Sequence, residues 1–308
     1  GAVTVVLASA PAGQGHQTVT AEVVSRVFGL DPQAVVVNTE LDTQKDAWSA
    51  GSGNYSSRFA GAVAGCAQIA AVRLKAKLTL YAANLWHCRP EDIVFEDGQV
   101  WPLKDPGKVM GFSRLAGTFH WSPALTQDAL GTEQDPGLRE TAFFSPETLS
   151  APDAQDRVNT SAAYGFVLDV CGVEIDIDTC QVKVDDYLTI HDAGTLLNSA
   201  LADGQIYGAF AQGIGAALYE EFLYDADGNF QSGTFADYRL PTSMEVPSLT
   251  IVHHCTPSPF TPLGAKGLGE GNNMSTPICI ANAVGDALRR SAITLPASPP
   301  RIYRWLCE

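Results

Sequence analysis

The chain has 308 residues, which at roughly 150 per domain predicts about two domains, and its 45% hydrophobic content is enough for a sizeable core. Lys and Arg number 19 against 34 Asp and Glu, a formal charge of −15. Phosphate-rich surfaces are met by clustered Lys and Arg, so neither nucleic acid nor a membrane surface is expected as a partner. Val3–Ala8 predicts a buried strand, followed by a Gly-rich turn at Pro11–His16. Val19, Val23, Val24 and Val27 recur at helical spacing across Thr18–Phe28, and Gly29 with Pro32 ends that helix. Val35–Asn38 predicts a second strand, and a polar Gly-rich loop runs from Asp42 to Arg58. Ala60–Leu80 is Ala-rich with small Gly61 and Gly65, the pattern of a closely packed buried helix. The apolar run Phe59–Val72 is read as too short to span a bilayer. Glu91–Trp101 alternates around Asp97-Gly98, a hairpin pattern. Phe119–Pro152 shows no periodic element and reads as a long excursion or interface arm.

Beyond Ala162, Tyr164–Val170, Val173–Asp178 and Val182–Ile190 predict strands, the last two joined at Thr179-Cys180. Asp203–Glu221 predicts a long Gly/Ala helix. Each interior Gly costs up to about 1 kcal/mol of helix propensity. Gly204, Gly208, Gly213 and Gly215 therefore need a reason, and close approach by backbone or cofactor is the usual one. Leu249–His254 predicts a strand and Thr261–Asn273 a Gly-rich loop. Thr276–Arg290 predicts a helix begun by Ser275 or Thr276, with Pro277 in its first turn. Arg301–Leu306 reads either as a partner-docking segment or as a buried anchor. The low share of charged residues, 17%, points to oligomer interfaces.

The seven Cys are scattered without C-x-x-C spacing, so no disulfide framework and no iron–sulfur or zinc site is expected from this chain. They read as small buried hydrophobes. His87, His120, His191, His253 and His254 lack metal-ligand spacing, and no metal-ligating residue is assigned. No basic n-region opens the chain, so no signal peptide is expected and the chain reads as cytoplasmic. Its start at Gly1, without Met, fits a fragment, a processed chain or a truncation.

Three Gly-rich polar loops stand between strand-like and helix-like segments: Gly13-Gln14-Gly15-His16, Gly51–Arg58 and Gly264–Gly271. Such loops expose backbone N–H groups at a helix start, where anions bind, although each taken alone is more often only a turn. Three together point to a cofactor with phosphate and many hydrogen-bonding edges. None matches a Rossmann or P-loop fingerprint, and no G-x-S-x-G elbow is present. Glu270, between Gly269 and Gly271, is placed where a carboxylate can be partly desolvated and act as a general base. On the residues alone the plainer reading is an exposed loop acid. Gln205 and Gln212 lie seven apart on one helix side, where an amide can donate into a pocket or be an ordinary surface glutamine.

Four segments occur in a telling order: Gly13–Thr18, Gly53–Arg58, Asp192-Ala193-Gly194 through Asn198 to Gly204–Gly215, and Ala265–Glu270. Their order and spacing resemble the C-terminal half of the molybdenum-binding subunit of the xanthine oxidase/aldehyde oxidase family, as in split-subunit nicotinate-type hydroxylases. The resemblance covers about 1–80 and 160–290. It implies a molybdopterin cofactor, as the cytosine dinucleotide, whose molybdenum is held by the pterin dithiolene. Gln14, Gly15 and His16 would contact the pterin and its phosphates, and Tyr55, Ser56 and Ser57 would line the other side. Gln205 would stand near the apical oxo group, Lys266, Gly267 and Gly269 would form the loop under the metal, and Glu270 would be the catalytic glutamate.

The implied reaction is oxidative hydroxylation of an electron-poor carbon with water as the oxygen source. An N-heteroaromatic small molecule is the first-choice substrate, with an aldehyde or an aryl-CoA thioester as alternatives. The implied partners are a second molybdopterin-binding subunit supplying the N-terminal half, a 2Fe-2S subunit and an FAD subunit. The sequence departs from the family pattern at Ser57 and Phe59 and after Glu270, where Gly271-Asn272-Asn273 follows. The alternative is a non-catalytic scaffold subunit of such a complex. The expected fold class is α+β (mixed α/β), with two subdomains of mixed sheets packed with Gly/Ala-rich helices and the cofactor loops between them. Residues 1–160 would be the first, with an irregular excursion at about 85–152, and 161–308 the second, carrying the Glu270 loop.

Overall fold

Val3–Val6 (β1) pairs in parallel with Val35–Asn38 (β2), Val3 opposite Val35, and His16–Phe28 (α1) makes the crossover. These elements open the first of two units in the computed structural model, which describes residues 2–42, 44, 53–54, 57–131 and 137–308. The first unit is Gly1–Ala163 with Pro259–Ala265, and the second is Tyr164–Ser258 with Lys266–Glu308. Helices and sheets mix in both, and each unit has its own hydrophobic core.

In the first unit α1 buries Val19, Val23, Val24 and Phe28, the apolar face its spacing predicts. It ends at Gly29, at φ 64°, where a Cβ would lie 2.5 Å from the Phe95 carbonyl oxygen. Ala64–Trp86 (α2) runs through the core, preceded by a π-helical turn at Phe59–Val63. Gly65 lets it approach Pro262 closely, because a Cβ there would sit 2.6 Å from Pro262 Cγ. The whole helical stretch Phe59–Trp86 is long and apolar enough, by length and composition, to cross a membrane. The sequence reading concerns only the run Phe59–Val72, which is one part of this stretch. Its Ala67, Ala71, Leu78, Tyr81 and Ala82 are nevertheless built into the core, the place of a core helix.

Ile93–Glu96 (β3) and Gln99–Pro102 (β4) form the expected hairpin, with Asp97 and Gly98 both at positive φ. Met110–Gly111 (β5) pairs with β4. Phe112–Trp121 (α3) and Pro123–Leu130 (α4) follow, which corrects the reading of Phe119 onwards as free of periodic structure. An eight-residue helix is too short to show its period, and α4 is fixed by burial of Leu130 and by Thr126 Oγ1 donating to the Phe119 carbonyl at 2.6 Å.

In the second unit Phe166–Ile175 (β6), Val182–Asp192 (β7) and Thr250–His253 (β8) form one sheet in that order. β6 joins what the sequence reads as two strands, with a register shift between Gly172 and Val173 marking the join. Ser199–Leu218 (α5) is capped by Asn198, whose Oδ1 accepts the Leu201 N–H at 2.9 Å. Gly271–Leu288 (α6) packs against both α5 and β6 and starts before the expected boundary. Pro277 therefore sits inside the helix and not in its first turn. The expectation followed from the preference of Pro for the first helical turn; here Pro277 is accommodated inside a helix that buries Asn272, Thr276, Ile280 and Val284. Pro299–Cys307 (α7) buries Ile302, so this segment has the buried anchor that the sequence offered as one of two readings.

Candidate active site

In the first unit two Gly-rich loops come together. Gly13 and Gly15 hold φ of 99° and 73°, backbone that favours glycine. Gly15 also opens α1, and no side chain caps that helix start. Uncapped first-turn N–H groups favour an anion. A Cβ on Gly13 would meet nothing within 4 Å among the described residues. His16, the first helical residue, is buried and stacks flat on Phe59 at 3.7 Å, with Nδ1 3.5 Å from Ser9 Oγ. Burial lowers its pKa to about 4, so the ring is neutral at pH 7. Ser9 Oγ donates to Asn54 Oδ1 at 2.9 Å, and Asn54 Nδ2 donates to the Ala10 carbonyl at 2.6 Å. Those bonds tie the first loop to the second. Gln14 turns back, its Oε1 accepting the Ala12 N–H at 2.6 Å. Ser57 takes a φ of 56°. Tyr55 and Ser56, expected to line the cofactor, lie outside the described residues.

The second unit holds the Glu270 loop. Lys266 is buried, with Nζ 3.2 Å from Asp192 Oδ2 and 5.8 Å above the Phe166 ring, while its N–H donates to the Ala193 carbonyl at 2.8 Å. Burial pushes the Asp192 carboxyl up, but the Gly194 and Thr256 amides and the Lys266 ammonium outweigh it and hold it at about 2. Lys266 thus tethers the loop to the turn after β7. Gly165 accommodates Gly267, since a Cβ on Gly165 would be 2.6 Å from the Gly267 carbonyl oxygen. Gln205, half-buried on α5, meets the same loop: a Cβ on Gly269 would be 3.6 Å from Gln205 Oε1.

Glu270 stands at the N-cap of α6 and is exposed. Among the described residues none buries the Glu270 carboxylate, so the partial desolvation expected of it is not seen there. Gln212 is exposed as well. The α5 glycines divide into two kinds. A Cβ on Gly213 would strike Thr276 Cβ at 2.6 Å, whereas Gly204 and Gly208 meet nothing within 4 Å.

Beneath the start of α6 lies a polar layer that sequence reasoning did not assemble. Asn272 is fully buried, and its Nδ2 donates to Asp169 at 3.2 and 3.3 Å and to Thr189 Oγ1 at 3.1 Å. Its Oδ1 then faces His191 Nε2 at 2.6 Å, which makes Nε2 the protonated nitrogen. Tyr187 donates to Asp169 at 2.7 Å, and its oxygen lies 3.1 Å from Thr276 Oγ1. The available signal was Tyr187, Thr189 and His191 at every second position of an apolar strand. Among the described residues no three His, Cys, Asp or Glu are grouped to hold a metal ion.

Comparison with known proteins places this arrangement. Residues 1–247 match the molybdopterin cofactor-binding domain family. The chain is 33% identical over 307 residues to the nicotine 6-hydroxylase large subunit of Paenarthrobacter nicotinovorans, covering 99% of this chain and 35% of that protein. It is 30% identical over 299 residues to the carbon monoxide dehydrogenase large chain of Hydrogenophaga pseudoflava, covering 96% and 34%. Its fold superposes on quinoline 2-oxidoreductase from Pseudomonas putida 86 with a TM-score of 0.82 at 32% identity, over all of this chain and 37% of that one. The chain belongs to the molybdopterin cofactor-binding domain family. It spans about a third of the length of the curated relatives it matches.

Proposed function

We propose that the chain is part of the molybdopterin-binding subunit of a molybdenum hydroxylase that oxidises an electron-poor carbon, with Glu270 as its general base. The observation that carries this reading is the Glu270 loop, where the carboxylate stands at an uncapped helix start beside a glycine that Gln205 approaches. The residues present fit the cofactor. The uncapped start of α1 after Gly15 suits a phosphate, and amide, hydroxyl and neutral imidazole groups suit the hydrogen-bonding edges of a pterin.

In the first unit Gln14, Gly15 and His16 would hold the pterin and phosphate side, with Tyr55, Ser56 and Ser57 beside them. In the second, Lys266, Gly267 and Gly269 would form the loop under the metal, and Gln205 would orient an oxygen by its amide. When bound, the cofactor supplies the oxygen atom for transfer and takes up the substrate's electron pair. Glu270 Oε accepts the proton released in that transfer. The Lys266–Asp192 pair tethers the loop that carries Glu270 to the turn after β7.

An N-heteroaromatic substrate is favoured, because nicotine and quinoline, the compounds named for two relatives, are of that class. The cytosine dinucleotide form of the cofactor, 2Fe-2S and FAD groups on partner subunits, and a second polypeptide or segment supplying the N-terminal half belong to the same reading. So does a cytoplasmic location, supported by seven cysteines that are all free thiols. The test is Glu270→Gln in the natively purified complex. Turnover falls by about 100- to 10,000-fold while molybdenum and pterin stay bound. Unchanged turnover contradicts the base role and favours the scaffold reading.

A further inference from the structure

The polar layer under α6 ends in two sulfurs that the proposed reaction does not use. Cys171 lies on the inner face of β6, next to the register shift at Gly172 and Val173. Cys279 follows Asn272 and Thr276 on one face of α6, at the i, i+4, i+7 spacing. Their Sγ atoms are 3.5 Å apart, and both residues are half-buried. The Cys171 thiol, against the opposing effect of burial, and the Tyr187 hydroxyl draw the Cys279 thiol down to about 7. The same sulfur contact, together with burial, raises Cys171. One sulfur is therefore an available nucleophile near neutral pH, and the other stands in position to resolve what forms on it.

We propose that Cys171 and Cys279 are a redox-active dithiol pair, which a small-molecule disulfide converts into an intramolecular disulfide linking β6 to α6. The Cys279 thiolate attacks one sulfur of the small disulfide, forms a mixed disulfide and expels one thiolate. Cys171 loses its proton and attacks Cys279 Sγ, the Cys171–Cys279 bond forms, and the second small thiolate leaves. The protein gives up two hydrogens and their electrons, and the small disulfide is reduced to a pair of thiols. A disulfide holds its sulfurs about 2.05 Å apart, so the pair must close by roughly 1.5 Å. The register shift between Gly172 and Val173 interrupts the ladder beside Cys171, where that movement would fall. Because α6 begins directly after Glu270, the bridge would tie the helix that carries this residue to the sheet. The chemistry of the pair does not depend on the role assigned to Glu270.

The natively purified complex is incubated with oxidised glutathione, alkylated, digested without reductant and analysed by peptide mass spectrometry. The expected product is a Cys171–Cys279 cross-linked peptide that dithiothreitol returns to free thiols. Cys171→Ser abolishes the cross-link and leaves glutathione on Cys279. Free thiols at both positions in the native protein, while exposed Cys255 takes up glutathione, would overturn the proposal. Glutathione on Cys279 that is never displaced by Cys171 would overturn it equally.

Discussion

Asn272 spends its whole side chain on buried partners: Nδ2 on Asp169 and Thr189, Oδ1 on His191. Replacing it by Ala leaves those groups unsatisfied in a place water does not reach. Asn272→Ala should lower the unfolding free energy by about 1–3 kcal/mol for each buried group left unpaired, read as a lower urea midpoint. A midpoint equal to that of the native chain would contradict the network. His16 gives a pH prediction. Its folded pKa of about 4 lies below the usual 6.5, so the folded state resists protonation. The stability of the buried neutral ring is complete above about pH 6.5, falls as the pH drops through the window, and stops falling below about 4. His16→Gln should remove that part of the pH slope in a series of urea midpoints, and equal slopes in both proteins would count against it. His16 stood out in the sequence as the only His inside a Gly-rich loop. The exposure of Glu270 did not, because burial of a loop acid depends on what covers it and not on its flanking glycines.

α5 carries two kinds of glycine, and a helix pattern alone does not separate them. A Cβ at Gly213 would lie 2.6 Å from Thr276 Cβ and 2.8 Å from the Asn272 carbonyl oxygen. Gly213→Ala should destabilise the second unit by about 1–3 kcal/mol through overpacking. Gly208→Ala meets nothing within 4 Å and should gain about 0.5–1 kcal/mol of helix propensity. Denaturation midpoints should therefore move in opposite directions, and a shift in the same direction would refute the assignment. Elements with a strong local pattern were legible: Val35–Asn38, the hairpin around Asp97-Gly98, and the long Gly/Ala helix. Less legible were those fixed by tertiary contact. α4 is too short to show its period, and α6 starts at Gly271-Asn272-Asn273, weak helix formers held by packing against β6 and α5.

At the scale of the molecule, the chain is about a third of the length of its relatives, and its surface is consistent with a part of something larger. Phe166, Leu168 and Val170 alternate on the outer face of β6 and are exposed. Leu168 stands beside Ile190, and Ile190 beside Val252, so an apolar row crosses all three strands. The proposed occupant of this face is the remainder of the molybdenum subunit. Produced alone, the chain should bind an environment-sensitive hydrophobic dye, and Leu168→Lys should weaken that binding. Co-production with the remaining portion should suppress it, and dye binding unchanged by co-production would rule out this face as the contact. Family membership was legible because four short motifs keep their order and spacing.

The measurement that bears most directly on the account is the molybdenum and iron content of the natively purified complex containing this chain, by elemental mass spectrometry. Molybdenum equimolar with the chain, with iron arriving on partner subunits, is the predicted result. Absence of molybdenum from a complex purified under cofactor-replete conditions would contradict the account, and with it the role assigned to Glu270.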